Sequence, residues 1–277
     1  MIEQQYILTH IGEEQSFSLL QITDMHLFEK DESCLLGVNT AKSFEAVLEQ
    51  VKKQDVPFDL ILATGDIAQD YSEGAYARFA RMVKPLNKPV FWLPGNHDDG
   101  PKMTRVMPTL DISDARNIIV GKWQFIMLDT QVYNSPLGWI DGDDLSYIQK
   151  CVESRPDLNT VICLHHNAFT VNSAWLDQHE LKNKIELLSL IHKYKNVKLV
   201  LCGHIHQEQD FIDAEGIRFI STPSTCIQFA PLSFNFALDT KGPGWRYLTF
   251  NPDGTISTQV YRLPYEDFKP DFGRGGY

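Results

Sequence analysis

The chain has 277 residues, a net charge of −11, 43% hydrophobic residues and 22% charged residues. This balance is typical of a globular protein and excludes a disordered, collagen-like or coiled-coil chain. The acidic charge argues against nucleic acid or an anionic membrane as a partner, because both attract clusters of Lys and Arg that this sequence lacks. No protein partner is predicted.

The cellular compartment is predicted from the first residues and the cysteines. Residues 1–5 contain neither a basic start nor an apolar stretch, so no secretory signal peptide is expected. No apolar run reaches the roughly 18 residues that a membrane span needs. The five cysteines are scattered and form no C-x-x-C pair, which favours neither a disulfide framework nor a thiolate zinc site. We therefore expect a reducing, cytoplasmic location.

Short apolar runs alternate with segments of helical periodicity, which is the pattern of an α/β domain. Two of the predicted helices begin at good capping residues, Asn39 and Ser72. In chain order the sequence predicts strand 16–23, helix 39–53, strand 59–64, helix 72–84, strand 89–93, strand 123–129, helix 143–154, strand 160–164, helix 181–194, strand 197–202 and strand 218–221.

The domain organisation is predicted to be simple. Residues 1–277 contain no internal repeat or low-complexity linker, so we expect a single domain. Residues 100–121 have weak periodicity and are expected to form a cap or loop. From about Thr222 the chain is expected to be irregular, and the polar, Gly-rich residues 269–277 are expected to form a flexible tail.

Polar blocks follow five of the predicted strands, and six of the nine histidines lie in them. Because open α/β sheets place their ligand crevice at the carboxyl ends of the strands, we expect these blocks to converge. The blocks are Asp24-Met25-His26, Gly65-Asp66, Gly95-Asn96-His97-Asp98, His165-His166 and Gly203-His204-Ile205-His206.

Residue spacing within these blocks suits metal binding. Residues two apart in an extended segment project to the same side, so Asp24 and His26 can present two ligands to one place. The same holds for His204 and His206. Imidazole, carboxylate and amide groups form a mixed nitrogen and oxygen set, which suits Fe, Mn or Zn better than Ca or Mg.

The number of candidate ligands indicates two ions. Strand alternation allows only one of His165 and His166 to face the site and leaves open which one. The total of seven ligands is too many for one tetrahedral ion and is enough for two ions that share a bridging carboxylate. The candidates are Asp24, His26, Asp66, Asn96, one of His165 and His166, His204 and His206.

The ordered series D-x-H, G-D, G-N-H-D, H and G-H-x-H resembles the calcineurin-like metallophosphoesterase superfamily and spans residues 24–206. Each short motif is common by itself, but five in this order are specific. Further segments narrow the resemblance to the bacterial class III 3′,5′-cyclic AMP phosphodiesterases and extend it over nearly the whole chain. These segments are residues 22–28, 36–40, 175–179, 222–229 and 243–246.

The resemblance implies a fold and a cofactor. The implied fold is a four-layer αββα sandwich with mixed β-sheets and a site at the carboxyl ends of the strands. The implied cofactors are two divalent metal ions per chain, Fe²⁺ and/or Mn²⁺. By the family pattern, one ion is held by Asp24, His26 and His206, the other by Asn96, His165 and His204, and Asp66 bridges them.

The implied activity is hydrolysis of the small molecule 3′,5′-cyclic AMP to 5′-AMP by two-metal chemistry. His97 would be the catalytic histidine, which as imidazolium stabilises or protonates the departing 3′-oxygen, and Asp98 could orient it by a hydrogen bond. Two divalent ions would outweigh the bound carboxylates, so an acidic chain can still bind a small anion. The residues implied to contact substrate are His26, Asp66, Asn96, His97, His165 and His206.

Other interpretations remain open. The same chemistry could act on another phosphodiester or nucleotide, because metal ligands do not encode the substrate. A non-catalytic scaffold of the same fold would have no need of a full ligand set and His97. Tyr71 and residues 222–229 could line a nucleotide pocket or pack in the core, and Trp175 is undecided between packing and base stacking.

Overall fold

The structure is a computed structural model and describes residues 4–274. Within this part of the chain, none of the helices combines the length and apolarity needed to cross a bilayer. Asn39 and Ser72 cap the first two helices through their side chains, as predicted. The helices are α1 (Thr40–Gln54), α2 (Glu73–Val83), α3 (Gly100–Val106), α4 (Gly142–Ser154) and α5 (Lys184–Ile191), with short 3-10 turns at Lys84–Leu86, Met107–Leu110, Leu176–Gln178 and Tyr265–Phe268.

Sixteen short strands accompany these helices in the described residues. They are β1 (Gln5–Leu8), β2 (Phe17–Ile22), β3 (Cys34–Leu35), β4 (Val38–Asn39), β5 (Leu60–Thr64), β6 (Val90–Leu93), β7 (Asn117–Val120), β8 (Trp123–Met127), β9 (Gln131–Val132), β10 (Ser135–Gly138), β11 (Asn159–Cys163), β12 (Val197–Cys202), β13 (Gln209–Ile212), β14 (Arg218–Ser221), β15 (Gly244–Phe250) and β16 (Ile256–Arg262).

Most strands belong to two mixed sheets. A five-stranded sheet has the order β16-β15-β2-β5-β6, and a seven-stranded sheet has the order β1-β7-β8-β11-β12-β14-β13. In the first sheet β2, β5 and β6 are parallel, while β15 pairs antiparallel with β2. In the second sheet β8, β11, β12 and β14 are parallel. The predicted mixed sheets are therefore confirmed.

The two sheets pack face to face, and helices cover both outer faces. Alternation along β2 sends Leu19 into the core between the sheets and Leu20 into the core beneath α1 and α2. On the other side, Ile148 of α4 and Leu187 of α5 pack on the outer face of the seven-stranded sheet, against Ile162 of β11. These three apolar layers make the four-layer αββα sandwich that the resemblance implied.

The chain after Thr222 is more regular than predicted. β15 pairs with β2 and β16 pairs with β15, so this segment completes the five-stranded sheet. The expectation of irregular structure is wrong here, because β15 is buried on both faces and lacks a simple alternation. Its Trp245 enters the helix-side core and its Leu248 enters the core between the sheets, with the buried Arg246 between them.

Residues 100–121 also contain regular structure where a cap or loop was expected. They form α3, a 3-10 turn and β7, and β7 lies between β1 and β8 in the seven-stranded sheet. Helix α3 has seven residues and β7 has four, which is too short for either to show a clear periodicity. The predicted helix 181–194 is observed only over Lys184–Ile191.

The flexible tail and the single domain over residues 1–277 stay predictions. Residues 275–277 of the expected tail lie outside the described residues. Within the described part, Asp271 donates a backbone hydrogen bond of 2.7 Å to the carbonyl of Leu36, which ties the start of this segment to the turn between β3 and β4.

Candidate metal centre

The candidate site forms where five strands end. β2, β5, β6, β11 and β12 are almost entirely buried and apolar, so polar side chains first become available past their last residues. Asp24, Asp66 and Asn96 follow strands of the five-stranded sheet, and His165 and His204 follow strands of the seven-stranded sheet. The predicted convergence of these blocks is therefore observed, and the site lies between the two sheets.

A first group of possible metal ligands consists of Asp24, His26 and His206. One ligand atom of each lies within 4.8 Å of the others. The Nε2 atom of His206 is 3.3 Å from Asp24 Oδ1 and 3.1 Å from His26 Nε2. All three side chains are buried.

A second group consists of Asp66, His165 and His204, whose ligand atoms also lie within 4.8 Å of one another. His165 Nε2 is 3.3 Å from Asp66 Oδ2 and 3.1 Å from Asn96 Oδ1. Asp66 Oδ2 is in addition 3.8 Å from His26 Nε2 of the first group. Asp66 therefore lies between the two groups, where the resemblance placed a bridging ligand.

His165 and His166 differ in their contacts. His165 faces Asp66 and belongs to the second group, whereas His166 Nδ1 lies 2.7 Å from the hydroxyl of Thr130 and its ring lies 4.7 Å from that of His204. The alternation of the strand thus directs the first histidine, and not the second, into the candidate site.

Hydrogen bonds outside the cluster set the tautomers of three of these histidines. Each Nδ1 faces an oxygen that can only accept, so Nδ1 carries the proton of the neutral ring and the Nε2 lone pair points into the cluster. This is the usual arrangement around a metal-binding imidazole. The pairs are His26 Nδ1 with Gln69 Oε1 at 2.7 Å, His165 Nδ1 with the Thr64 carbonyl at 2.8 Å and His206 Nδ1 with the Ile227 carbonyl at 2.8 Å.

Two buried atoms test whether the residues fit metal ions. Asp66 Oδ2 and His204 Nε2 have no hydrogen-bond partner among the described residues. Buried polar atoms are rarely left unsatisfied, because the loss of hydration then has no compensation. A carboxylate oxygen and an imidazole nitrogen in one group are also donors that Mn²⁺, Fe²⁺ and Zn²⁺ accept. The side chains therefore fit bound divalent cations.

The protonation of the cluster is consistent with this fit. Burial lowers the pKa of His26 to about 3, so its ring is neutral and able to bind a metal. Burial would raise the pKa of Asp66, but the imidazoles of His165 and His97 hold it well below its usual range. Burial likewise opposes a charge on His165, yet the facing Asp66 raises its pKa to about 9. A cation that binds Asp66 would displace this proton.

The backbone is strained at most of the candidate ligands. Five of them are non-glycine residues with positive φ, a conformation that is uncommon and costs free energy. Such strain persists only where the surrounding structure enforces it, and it concentrates at functional sites. The residues are Asp24 (φ 54°), His26 (50°), Asp66 (50°), His204 (69°) and His206 (49°).

His97 lies beside the cluster, and the contact between its ring and Asp98 stays a prediction. The Asp98 carboxylate accepts backbone hydrogen bonds of 2.9–3.1 Å from Ile67, Ala68 and Gly95, so it joins two turns. Burial raises the pKa of Asp98 to about 7. These contacts show that Asp98 holds the turns that carry Asp66 and His97.

Gln69 contacts the rings of His97 and His26. Its Nε2 atom lies 3.2 Å from His97 Nδ1, while its Oε1 atom contacts His26. The backbone N–H of His97 donates to Asp66 Oδ1 at 2.8 Å. Gln69 was not predicted from the sequence, where the only signal was its position three residues after Asp66.

A cavity of about 660 Å³ opens beside the cluster. Asn96, His97, His204 and Trp175 are among the residues that line it. Tyr71 lines this cavity as well, which resolves one alternative that the sequence left open. Of residues 222–229, only Phe229 is among the lining side chains, and Cys226 packs in the core.

Known proteins are similar to this chain in sequence and in fold. Residues 17–208 match the family model described as Calcineurin-like phosphoesterase. A Vibrio vulnificus (strain CMCP6) protein named 3′,5′-cyclic adenosine monophosphate phosphodiesterase CpdA is 48% identical over 265 residues, which cover 95% of this chain and 96% of that protein. The Escherichia coli (strain K12) protein of the same name is 45% identical over 260 residues, which cover 94% of each chain.

A solved structure supports the fold independently. The crystal structure of a dimetal phosphatase from Danio rerio aligns with a TM-score of 0.62 at 14% sequence identity, and the alignment covers 89% of this chain and 98% of that one. At this low identity the likeness concerns the fold alone. Together with the matched family model and the similarity to the two phosphodiesterases, it establishes that the chain belongs to the calcineurin-like phosphoesterase family.

Proposed function

We propose that this protein hydrolyses 3′,5′-cyclic AMP to 5′-AMP at a site that holds two divalent metal ions. One observation carries the proposal: Asp66 Oδ2 lies between two groups of buried ligands, and two members of these proposed ligand sets, Asn96 and His204, line a cavity large enough for a nucleotide. The two relatives at 45–48% identity, both named as cyclic AMP phosphodiesterases, support this choice of substrate.

The proposed ligands follow the two groups of buried side chains. The mixed nitrogen and oxygen donors favour Fe²⁺ and/or Mn²⁺ as the ions. When bound, such ions activate a water molecule and neutralise the phosphoryl oxygens. We assign Asp24, His26 and His206 to one ion, Asn96, His165 and His204 to the other, and Asp66 to both.

His97 is proposed to act on the leaving group. Because the amide nitrogen of Gln69 can only donate, His97 Nδ1 accepts and the ring proton lies on Nε2. Burial lowers the pKa of His97, which favours the neutral ring over the imidazolium expected from the sequence. As the water oxygen bonds to phosphorus and the bond from phosphorus to O3′ breaks, the Nε2–H of His97 donates a hydrogen bond to the departing O3′, and the proton that O3′ gains comes from the attacking water.

Contacts with the substrate at the metal cluster are proposed for His26, Asp66, Asn96, His165 and His206, in addition to His97. The cytoplasmic location stays a prediction from the sequence.

The test is release of AMP from cyclic AMP by protein loaded with Mn²⁺ or Fe²⁺. Asp66→Asn is expected to abolish turnover and reduce metal content, because it removes the shared carboxylate charge. His97→Ala is expected to lower kcat by about 100-fold or more with metal content retained, since the loss of one hydrogen-bond donor to a developing negative charge costs that much. Turnover is measured by chromatography of AMP, and metal content by elemental analysis.

A matched control is His10→Ala, since His10 is an exposed histidine that belongs to none of the ligand blocks. It should leave both turnover and metal content at the level of the unmodified protein. Strong activity on other phosphodiesters without turnover of cyclic AMP would overturn the substrate assignment. Full activity of His97→Ala would overturn the role proposed for that residue.

A further inference from the structure

The cavity beside the metal cluster has no charged side chain apart from histidines in the part of its lining that the structure describes. Its described lining residues include no Lys, Arg, Asp or Glu side chain. Positive charge for a phosphate is therefore confined to the cluster itself. The remaining volume suits a neutral group and offers no cation to a second phosphate.

An aromatic wall, formed by Trp175, His179, Phe229 and Phe236, lines part of this cavity, and Trp175 contacts the other three rings. The Trp175 ring lies 4.9 Å from the Phe229 ring and 5.1 Å from the Phe236 ring, at interplanar angles of 79° and 71°. The His179 ring is 6.2 Å away at 82°. All three contacts are edge-to-face, and no aromatic ring among residues 4–274 lies parallel to the indole. A flat ligand can therefore supply the stacked contact that the described neighbours do not make.

Phe229 joins this wall to the metal cluster. Its ring stacks on the imidazole of His206, with the centroids 4.1 Å apart and the planes at 13°. His206 belongs to the same group as Asp24 and His26. The aromatic wall therefore lies next to the first ligand group. A substrate that contacts both the wall and the metal cluster can bind in only one direction.

The position of Trp175 is set before any ligand binds. Its indole N–H donates to Ser233 Oγ at 3.0 Å, and the backbone N–H of Ala174 donates to the Ser233 carbonyl at 3.0 Å. The Ser233 N–H in turn donates to Ser173 Oγ at 3.3 Å. Because these bonds fix both loops, a stacking partner binds without an added ordering cost at this residue.

A second cavity, of about 290 Å³, also has Asn96 in its lining. Tyr133 lines it and would also offer an aromatic ring. Its volume is less than half the 660 Å³ of the first cavity. Space therefore favours the Trp175 side for the ribose and the base of the substrate.

We infer that Trp175 is the stacking surface for the base of the cyclic nucleotide, so that the base lies toward Trp175 and away from Tyr133. The inference rests on the proposed function and adds the direction in which the substrate binds. Stacking acts on the face that all bases share and reads none of their edges. Trp175 thus favours nucleotides over phosphodiesters without a base, and contributes equally for adenine and guanine.

The experiment compares cyclic AMP, cyclic GMP and the cyclic 3′,5′-phosphate of methyl ribofuranoside, which has no base. In Trp175→Leu, the ratio of kcat/KM for cyclic AMP to that for the abasic compound should fall by roughly 10- to 100-fold, mainly through KM. The ratio for cyclic GMP should fall by a similar factor. Trp175→Phe restores an aromatic face and should recover most of each ratio.

Tyr133→Ala is the matched control, because Tyr133 is 87% exposed and lines only the second cavity. It should leave the ratios unchanged. An equal loss on all three compounds in Trp175→Leu, or a loss of the ratio in Tyr133→Ala instead, would overturn the inference. Failure of the unmodified protein to hydrolyse either cyclic nucleotide would instead count against the proposed function, so the two failures are distinguishable.

Discussion

At the scale of single residues, one side-chain amide contacts two imidazoles of the candidate site. Gln69 Oε1 accepts from His26 Nδ1 at 2.7 Å, and Gln69 Nε2 donates to His97 Nδ1 at 3.2 Å. The first bond turns the lone pair of His26 toward the metal cluster. The second places the proton of His97 on Nε2, from which it can donate a hydrogen bond to a leaving group. Gln69 is therefore a positioning residue for metal binding by His26 and for the contact of His97 with the leaving group.

Substitutions at Gln69 are expected to separate these two effects. Gln69→Glu keeps an acceptor for His26 but loses the donor to His97, so kcat should fall by roughly 10- to 100-fold while metal content is retained. Gln69→Leu loses both bonds and should lower metal content as well. Steady-state kinetics and elemental analysis of the same preparations distinguish the variants. An unchanged kcat in Gln69→Glu would contradict this orientation of the His97 ring.

The residue scale also marks the limit of prediction from sequence. The seven proposed ligands are those that the sequence motifs and the family resemblance imply, and the structure brings them together in two groups with Asn96 beside His165. The partner of His97 was not predicted. Asp98 is its neighbour in sequence, but three backbone N–H groups capture that carboxylate, and Gln69 reaches His97 through a turn whose path only the fold defines.

At the scale of elements, the turns after the strands leave no room for a larger residue. A Cβ atom on Gly65 would lie 2.3 Å from His165 Nδ1 and 2.8 Å from the backbone nitrogen of Gly95. A Cβ atom on Gly95 would lie 2.2 Å from Asp66 Oδ1. The turn after β5 therefore packs directly against the turn after β6 and against His165 after β11. This close packing holds the ligands together.

Gly65→Ala is expected to disturb the site more than a strained backbone alone would. Gly65 and Gly216 have φ values of 93° and 89°, but nothing lies within 4 Å of a Cβ on Gly216. Gly216→Ala should therefore lose about 1–2 kcal/mol of unfolding free energy from the positive φ. Gly65→Ala should lose roughly a further 1–3 kcal/mol from overpacking, and should also lose metal as His165 is displaced. Urea unfolding and elemental analysis measure the two effects.

Equal losses of unfolding free energy in the two glycine variants, with full metal content in Gly65→Ala, would mean that the turn at Gly65 can yield without moving the ligands.

Elements with a clear pattern were predicted and those without one were not. The buried parallel strands are continuous apolar runs, and α1 and α2 carry both a cap and an apolar stripe. β15 carries Arg246 and Tyr247 inside a buried strand, so its sequence indicates no face. α3 and β7 are too short to show a period. The conformation of β7 and β15 depends on pairing with neighbouring strands, and the sequence of each segment alone does not show that pairing.

At the scale of the whole molecule, the candidate metal centre links the two sheets. Asp24, His26, Asp66 and Asn96 follow strands of the five-stranded sheet, and His165, His204 and His206 follow strands of the seven-stranded sheet. Each proposed ion takes ligands from both sheets. Binding of the ions should therefore oppose separation of the two halves of the sandwich, in addition to its role in the reaction.

Removal of metal is expected to lower the stability of the whole fold. A ligand that binds only the folded state stabilises it by about 2.7 kcal/mol at a free concentration 100 times its Kd. For a chain of this size that corresponds to a fall in Tm of roughly 5–10 °C when a chelator is added. Differential scanning calorimetry of the metal-loaded protein, with and without chelator, measures the shift. Asp66→Asn is the control and should show a smaller shift, because the shared ligand is weakened. An unchanged Tm after complete removal of metal would mean that the ions do not hold the sheets together.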